Sequence, residues 1–456
     1  MTDVLLGIDV GTTGVKGVAI DENGAVLATA EEHYPLSTPQ PGWAEQDPED
    51  WWQASQRVLA QLPDGALGLS GQMHGLVVLD ERDEVLRPAI LWNDQRTGAE
   101  CVEIERRIGL ERLIDLTGNR ALPGFTAPKL LWLQRHEPDV HARIRHVLLP
   151  KDYVRFRLTG ERTIDAADAS GTLLFDVAHR RWSDEVCTAL EVPLEWLPRA
   201  YEATEIGTAG DQAAGALGVG IAAPGALSVV LGTSGVVFAV LPAYQPDPQA
   251  RLHVFCHAVP GTWHAMGVML SAAGSLSWLR QVVGAEYGAL DDEAERWEPG
   301  VEGLLFAPYL AGERTPHVDP DARGAFTGLS LRHDRGALAR AVLEGVAFGL
   351  RDSLELLREL GVEATVGRAS GGGARSDLWL RIAASVLRIP LERVQLEEGA
   401  AYGAALLAGV REGVFADADD AVARCVRVRD RIEPEWDYEE HYERFRLLYP
   451  TLKELQ

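Results

Sequence analysis

Two stretches of this chain share one outline: a short apolar strand, a Gly-Thr-Xaa-Gly turn and a second apolar strand. The first is Gly7-Ile-Asp-Val-Gly-Thr-Thr-Gly-Val-Lys-Gly-Val-Ala-Ile20. The second, Leu227-Ser-Val-Val-Leu-Gly-Thr-Ser-Gly-Val-Val-Phe-Ala-Val240, follows roughly 220 residues later. Runs of β-branched and apolar residues on either side of a glycine-bounded turn make each a hairpin. Self-similarity at half the chain length predicts two related domains, and 456 residues exceed what one core ordinarily organises. The expected units are residues 1–220 and 221–456, with the Gly- and Ala-rich stretch ahead of Ala222-Ala-Pro-Gly225 as the hinge.

The turns carry the first chemical signal. Gly11 and Gly14 let a backbone approach an anion, Thr12 and Thr13 add hydroxyl donors, and successive N–H groups can form a nest for phosphate oxygens. Gly232, Thr233 and Ser234 repeat the arrangement in the second half. Asp9 stands just before the first turn, where a buried carboxylate is costly unless a cation or several donors hold it. The segment is therefore either a nucleotide site with Mg²⁺ near Asp9 or an ordinary hairpin with a solvated Asp. It is not a Walker A loop, which needs Gly-Lys-Ser/Thr ahead of a helix. Lysine occurs only at positions 16, 129, 151 and 453, and Lys16 falls beside this turn.

Charge and cysteine content narrow the partners. A formal charge of −25 opposes nucleic acid and anionic membrane surfaces, both of which require a basic face. No apolar run approaches the roughly 20 residues of a membrane span, and no basic segment precedes an apolar one at the N-terminus. Cys101, Cys187, Cys256 and Cys425 are few and widely spaced, which fits a reducing cytoplasm rather than a disulfide framework. His253-Val-Phe-Cys256-His257 has metal-ligand residue types. It lacks a partner motif, however, and strand alternation would split its side chains between two faces.

Further candidates lie where strands end. Ser70-Gly-Gln-Met-His-Gly75 reads as a turn between two strands, and Gln72 and His74 there both donate and accept hydrogen bonds, which suits a hydroxyl-rich ligand. Asn93 and Asp94 follow another short strand, Ala89-Ile-Leu-Trp92, at the position where α/β folds place their sites. Asp211, in Ala209-Gly-Asp-Gln-Ala-Ala-Gly215, opens a small-residue helix as its N-cap or as a functional carboxylate. Gly371, Gly372 and Gly373 precede another helix, where they allow a flat ring or phosphate to approach or simply permit tight packing. The polar loop 310–324 is too long to be a mere connection.

Taken together these motifs resemble the FGGY carbohydrate kinases, from Gly7-Ile-Asp-Val-Gly-Thr-Thr through Gly403-Ala-Ala. The resemblance implies an α/β fold of two similar, ribonuclease H-like domains of the actin, hexokinase and Hsp70 ATPase type around an interdomain cleft. Gln72-Met-His-Gly75 and Tyr309-Leu-Ala-Gly-Glu-Arg-Thr-Pro316 favour members that phosphorylate D-xylulose over those that phosphorylate glycerol. By resemblance, Asp9 lies by Mg²⁺ and the phosphates, Met73 and His74 touch the sugar, and Asp211 is the catalytic base. The two Gly-Thr turns hold ATP phosphates, Gly371 to Gly373 lie under the adenosine, and a homodimer is a common assembly. Gly324-Ala-Phe-Thr-Gly-Leu329 through Leu343-Glu344 resembles the family's second signature, with Ala337 where a polar residue is usual. The chain is short for the family. Kinases of another ketose or polyol (L-ribulose, L-xylulose, L-fuculose, glycerol) and a non-catalytic nucleotide switch are the alternatives.

Overall fold

The computed structural model describes residues 4–395 and 399–455. Strands β1 (Leu5–Val10), β2 (Gly14–Ile20) and β3 (Val26–His33) form an antiparallel meander. Beside β1, strands β4 (Ala66–Gly71) and β5 (Thr208–Gly210) run parallel to it, giving the order β5-β4-β1-β2-β3. Helix α1 (Pro48–Leu59) is started by Asp47, whose side chain accepts the Glu49 N–H, and by Pro48 in the first turn. It buries Trp51, Ala54 and Val58 in the same core as Ile8, Val10 and Val15.

The second sheet comprises β6 (Ala226–Leu231), β7 (Gly235–Leu241), β8 (His253–Cys256), β9 (Trp263–Met269), β10 (Val366–Ser370), β11 (Leu391–Val394) and β12 (Val428–Ile432). Its order is β8-β9-β7-β6-β10-β11-β12. The inner five strands repeat the order and directions of the first sheet: β6, β7 and β9 are antiparallel neighbours, and β10 and β11 run parallel to β6. The repeat read in the sequence is thus a repeat of topology, with β8 and β12 added antiparallel at the edges.

Three helices organise the cores of the two sheets. Helix α2 (Asp211–Gly218) leaves β5, α3 (Arg335–Glu359) lies in the core of the second sheet, and α4 (Gly399–Arg411) returns to the first. Asp334 caps α3 by accepting the N–H of Ala337, which is fully buried, so an apolar residue suits that signature position. Within α3, buried Glu344 accepts from Arg340 and Tyr438 at 2.8 Å each, pinning the C-terminal tail. Removing one partner of such a buried pair costs about 3–5 kcal/mol.

The packing crosses the 220/221 position. A Cβ on Gly7 or Gly68 would overlap the carbonyl oxygen of Ala401 or Ala404 in α4, and one on Gly403 would overlap Ala214 in α2. Only glycine lets these backbones touch. Leu406, Leu407 and Phe415 therefore share a core with Leu5, Val18 and Ile20. Another core joins Leu76, Phe125 and Leu130 to Val236, Phe238 and Phe255 of the second sheet, each such side chain contributing roughly 1.5–3 kcal/mol by burial. All four cysteines are free and buried. The His253–His257 segment gathers no metal site: the His253 Nδ1–H donates to Asn119 Oδ1 at 2.7 Å, and His257 pairs with the Ile221 carbonyl. Among the described residues no helix is long and apolar enough to cross a membrane.

Candidate active site

Three parallel strands end abreast. Val10 is in register with Gly71, and Gly71 with Gly210. Adjacent strands lie about 4.8 Å apart, so the turn at 11–14, the turn at 72–75 and Asp211 leave one sheet edge within two strand spacings. This is the carboxyl edge at which α/β sheets bind ligands. Opposite it, Ser234 of the second hairpin and Arg314 of the long polar loop face Met73, His74, Trp92 and Asp211 across a cavity of about 180 Å³. Both halves of the chain thus build one cleft.

The carboxylates in the cleft are held in an unusual state. Burial pushes Asp211 up to about 8, and the charges of Asp9 and Asp168 push in the same direction. Burial also raises Asp9 to about 6, against the opposing pull of the Ser70 hydroxyl and Lys16. Asp9 Oδ1 is buried with no hydrogen-bond partner among the described residues. An orphaned carboxylate oxygen beside a glycine turn fits a hard divalent cation.

His74 is fixed as a neutral ring. Its Nδ1–H donates to the Gly171 carbonyl at 2.6 Å, and burial lowers its pKa to about 3, which leaves Nε2 a permanent acceptor. The backbone at His74 is left-handed, with φ 68°, a strained value for a non-glycine residue. Its carbonyl is held there by Thr126 Oγ1 at 3.1 Å and by Lys129 Nζ at 2.8 Å. Lys129 is wholly buried and also donates to the Gly124 carbonyl at 2.7 Å.

Other expected site residues are engaged within the protein. Gln72 is not among the residues lining the cavity. Its Nε2 donates to the Gly11 carbonyl and to Gln46 Oε1, both at 3.2 Å, while its Oε1 accepts from Thr12 Oγ1 at 3.2 Å, so it braces the 11–14 turn. Asp94 is fully buried and spent on Arg96, on both oxygens, and on the Ala44 N–H at 2.7 Å. Arg96 in turn stacks 3.6 Å from the Trp43 ring, so Asp94 anchors the local structure. Asn93 beside it has Oδ1 buried without a partner among the described residues. Lys16 is the register partner of Asp9, but its ammonium lies on the surface 3.7 Å from Glu31. Of the glycine run, Gly371 and Gly373 pack against Leu231 and Trp379, and only Gly372 opens onto free space.

One neighbouring cluster had no sequence signal beyond a helix start. Lys151 Nζ lies 2.5 Å from Asp152, 2.7 Å from Asp165 and 2.8 Å from Asp168, all four residues wholly buried. The three carboxylates are close enough for a metal, but the ammonium already occupies the space among them. Through Asp168 the cluster adds to the upward pressure on Asp211.

Residues 4–241 match the model of the FGGY family of carbohydrate kinases, N-terminal domain, and residues 227–412 match its C-terminal domain. The chain belongs to the FGGY family of carbohydrate kinases. It is 44% identical over 434 residues to a xylulose kinase of Escherichia coli K12, covering 89% of each chain. It is 36% identical to a xylulose kinase of Bacillus subtilis 168, covering 98% of this chain and 96% of that one. The crystal structure of a xyloylose kinase from Brucella ovis superposes with a TM-score of 0.95 at 42% identity, over 99% of this chain and 100% of that one. The two-sheet architecture is accordingly that of an FGGY kinase.

Proposed function

We propose that this FGGY kinase transfers the γ-phosphoryl group of ATP to the 5-hydroxyl of D-xylulose, with Asp211 as general base. The observation that carries the reading is the single cavity lined by Asp211, His74 and Ser234, contributed by both halves of the chain. The named relatives, xylulose kinases at up to 44% identity, support the choice of sugar. Residues 1–220 form the sugar-binding unit and 221–456 the nucleotide-binding unit, with α2 and α4 as the link between them. Four free, buried cysteines support a reducing, cytoplasmic setting.

Catalysis on this reading is positioning plus electrostatics. The Asp211 carboxylate accepts the hydroxyl proton as the sugar oxygen attacks phosphorus, and the bond to the departing ADP oxygen breaks. His74 Nε2 accepts from a sugar hydroxyl, and Met73 supplies an apolar wall. Gln72 takes up the Thr12 hydroxyl proton and so holds the 11–14 turn in the shape that offers the Thr13 hydroxyl and the turn backbone to phosphate oxygens. Gly232, Thr233 and Ser234 offer the matching turn from the other half, and Gly372 leaves room for the adenosine. Asp9, with its unpartnered oxygen, is the residue that would hold Mg²⁺. When bound, ATP and Mg²⁺ supply the phosphoryl group and the screening of its charge.

The test is coupled ADP release over a panel of D-xylulose, L-ribulose, L-xylulose, L-fuculose and glycerol. D-Xylulose is expected to give the highest kcat/KM. A higher value for another member would reassign the substrate, and the absence of sugar-stimulated release across the panel would overturn the kinase assignment.

A further inference from the structure

Arg314 belongs to the second half of the chain but lines the cavity that holds Met73, His74 and Asp211. Its backbone is clamped on both sides. Glu313 Oε1 accepts the N–H groups of Leu270 at 2.9 Å and of Arg314 at 2.8 Å. Thr315 exchanges bonds with Val268 at 3.0 Å and donates to the Arg251 carbonyl at 2.7 Å. The direction of the side chain between them is therefore set by the end of β9.

The guanidinium itself has almost nothing to hold. Its one hydrogen-bond neighbour among the described residues is His253 Nε2, at a long 3.5 Å, and its only charged neighbour of opposite sign is Glu313, whose Oε1 is already spent on backbone. A half-buried arginine that lines a cavity without an ion pair leaves its donors free for acceptors that a ligand supplies. Its position favours the sugar over the phosphate. It reaches His253, which touches Phe125 at 5.9 Å, which touches His74 at 4.8 Å, so it stands at the His74 end of the cavity.

We infer that Arg314 grips the carbonyl end of the ketose, opposite the 5-hydroxyl presented to Asp211, and thereby selects ketoses over polyols. This rests on the reading of the site as a D-xylulose kinase. Two N–H groups of a planar guanidinium span two adjacent oxygens, which an α-hydroxyketone offers as its carbonyl and its terminal hydroxyl. Reduction of that carbonyl replaces a pure acceptor with a hydroxyl whose carbon is tetrahedral, and the fork no longer matches.

The experiment compares D-xylulose with its two reduction products, xylitol and D-arabinitol, in wild type, Arg314→Lys and Arg314→Met, with folding checked by thermal melting. Wild type is expected to prefer the ketose in kcat/KM by at least roughly tenfold, the scale of one charge-assisted hydrogen bond. Arg314→Met is expected to raise the KM for D-xylulose by roughly ten- to a hundredfold with the KM for ATP unchanged, and to bring the ketose-to-polyol ratio near one. Arg314→Lys, which keeps the charge without the fork, should lie between. An unchanged sugar KM and ratio in a folded Arg314→Met would overturn the inference, as would a loss confined to kcat and the KM for ATP. If that variant does not fold, a wild-type ratio near one overturns it alone. Failure of the underlying reading looks different: wild type then turns over another sugar of the panel better than D-xylulose.

Discussion

In the first hairpin the turn is held chiefly by side chains, beside the backbone bonds from the Gly11 N–H to the Gly14 carbonyl at 3.0 Å and from the Tyr34 N–H to the Thr13 carbonyl at 3.3 Å. Gln72 and Tyr34 donate to the Gly11 carbonyl, Gln46 donates to the Thr12 carbonyl at 2.7 Å, and the Trp92 indole donates to the Thr12 hydroxyl at 3.0 Å. In the second the turn is held by backbone. The N–H groups of Ala272, Ala273 and Gly274 donate to the Thr233 and Gly232 carbonyls at 2.8–3.1 Å. The strand positions differ as well: Asp9 precedes the first turn where Val230 precedes the second. The same turn, used twice, is thus specialised on one side for charge and on the other for shape. Side-chain bracing exposes the first turn to point mutation, and backbone bracing shelters the second.

The sharpest way to break this comparison is at the charged side. Asp211→Asn is expected to lower kcat by at least about two orders of magnitude while leaving nucleotide binding intact, measured by initial rates and calorimetric titration of ATP. Near-normal turnover would remove Asp211 from the mechanism. Its pH dependence is a second handle. Since Asp211 must be ionised to accept a proton, kcat/KM should climb with pH until about 8 and then level off. Stability runs the other way. The folded carboxyl binds its proton more tightly than the unfolded one, so the free protein loses stability as pH rises from about 4 to about 8, and Asp211→Asn should melt higher than wild type at pH 8.

Next in size is Asp9→Asn, expected to reduce turnover about tenfold or more, with the deficit growing as magnesium is lowered. A deficit independent of magnesium would separate Asp9 from the cation. His74→Ala follows, with the KM for sugar raised about tenfold and the KM for ATP unchanged. Gln72→Ala should do the reverse, raising the KM for ATP and costing about 1–3 kcal/mol in denaturant unfolding, because its buried partners are left unsatisfied. Smallest is Thr233→Ala, expected within about 0.5 kcal/mol of wild type because backbone holds that turn. Equal effects of the last two substitutions would erase the distinction between the hairpins.

Much of this was legible in the sequence, for reasons that can be named. The hairpins, the turn at 72–75 and the start of α2 were readable because β-branched runs, glycines and caps act locally. Gln72 and His74 were read alike because a turn does not reveal which way each side chain points, and only the tertiary contact with Gly11 separates them. Asp94 has a local clue in Arg96 two residues on, a spacing that allows a bidentate pair, but the Trp43 stacking that confines Arg96 is remote in sequence. Arg314 lies in a loop marked by its length and by the Tyr309–Pro316 motif, neither of which says that its side chain enters the cavity. The placement of α4 was invisible, since a helix of glycine and alanine reads the same whichever sheet it covers.

That helix carries a consequence for how the molecule is made. The first sheet emerges early in synthesis, yet the surface formed by Gly7 and Gly68 has no cover until residues 399–411 have been translated. The N-terminal half therefore waits, with its apolar face unfinished, for almost the whole chain to leave the ribosome. A premature stop before α4 removes neither Asp9 nor Asp211 but leaves the sheet from whose edge both are presented without its roof.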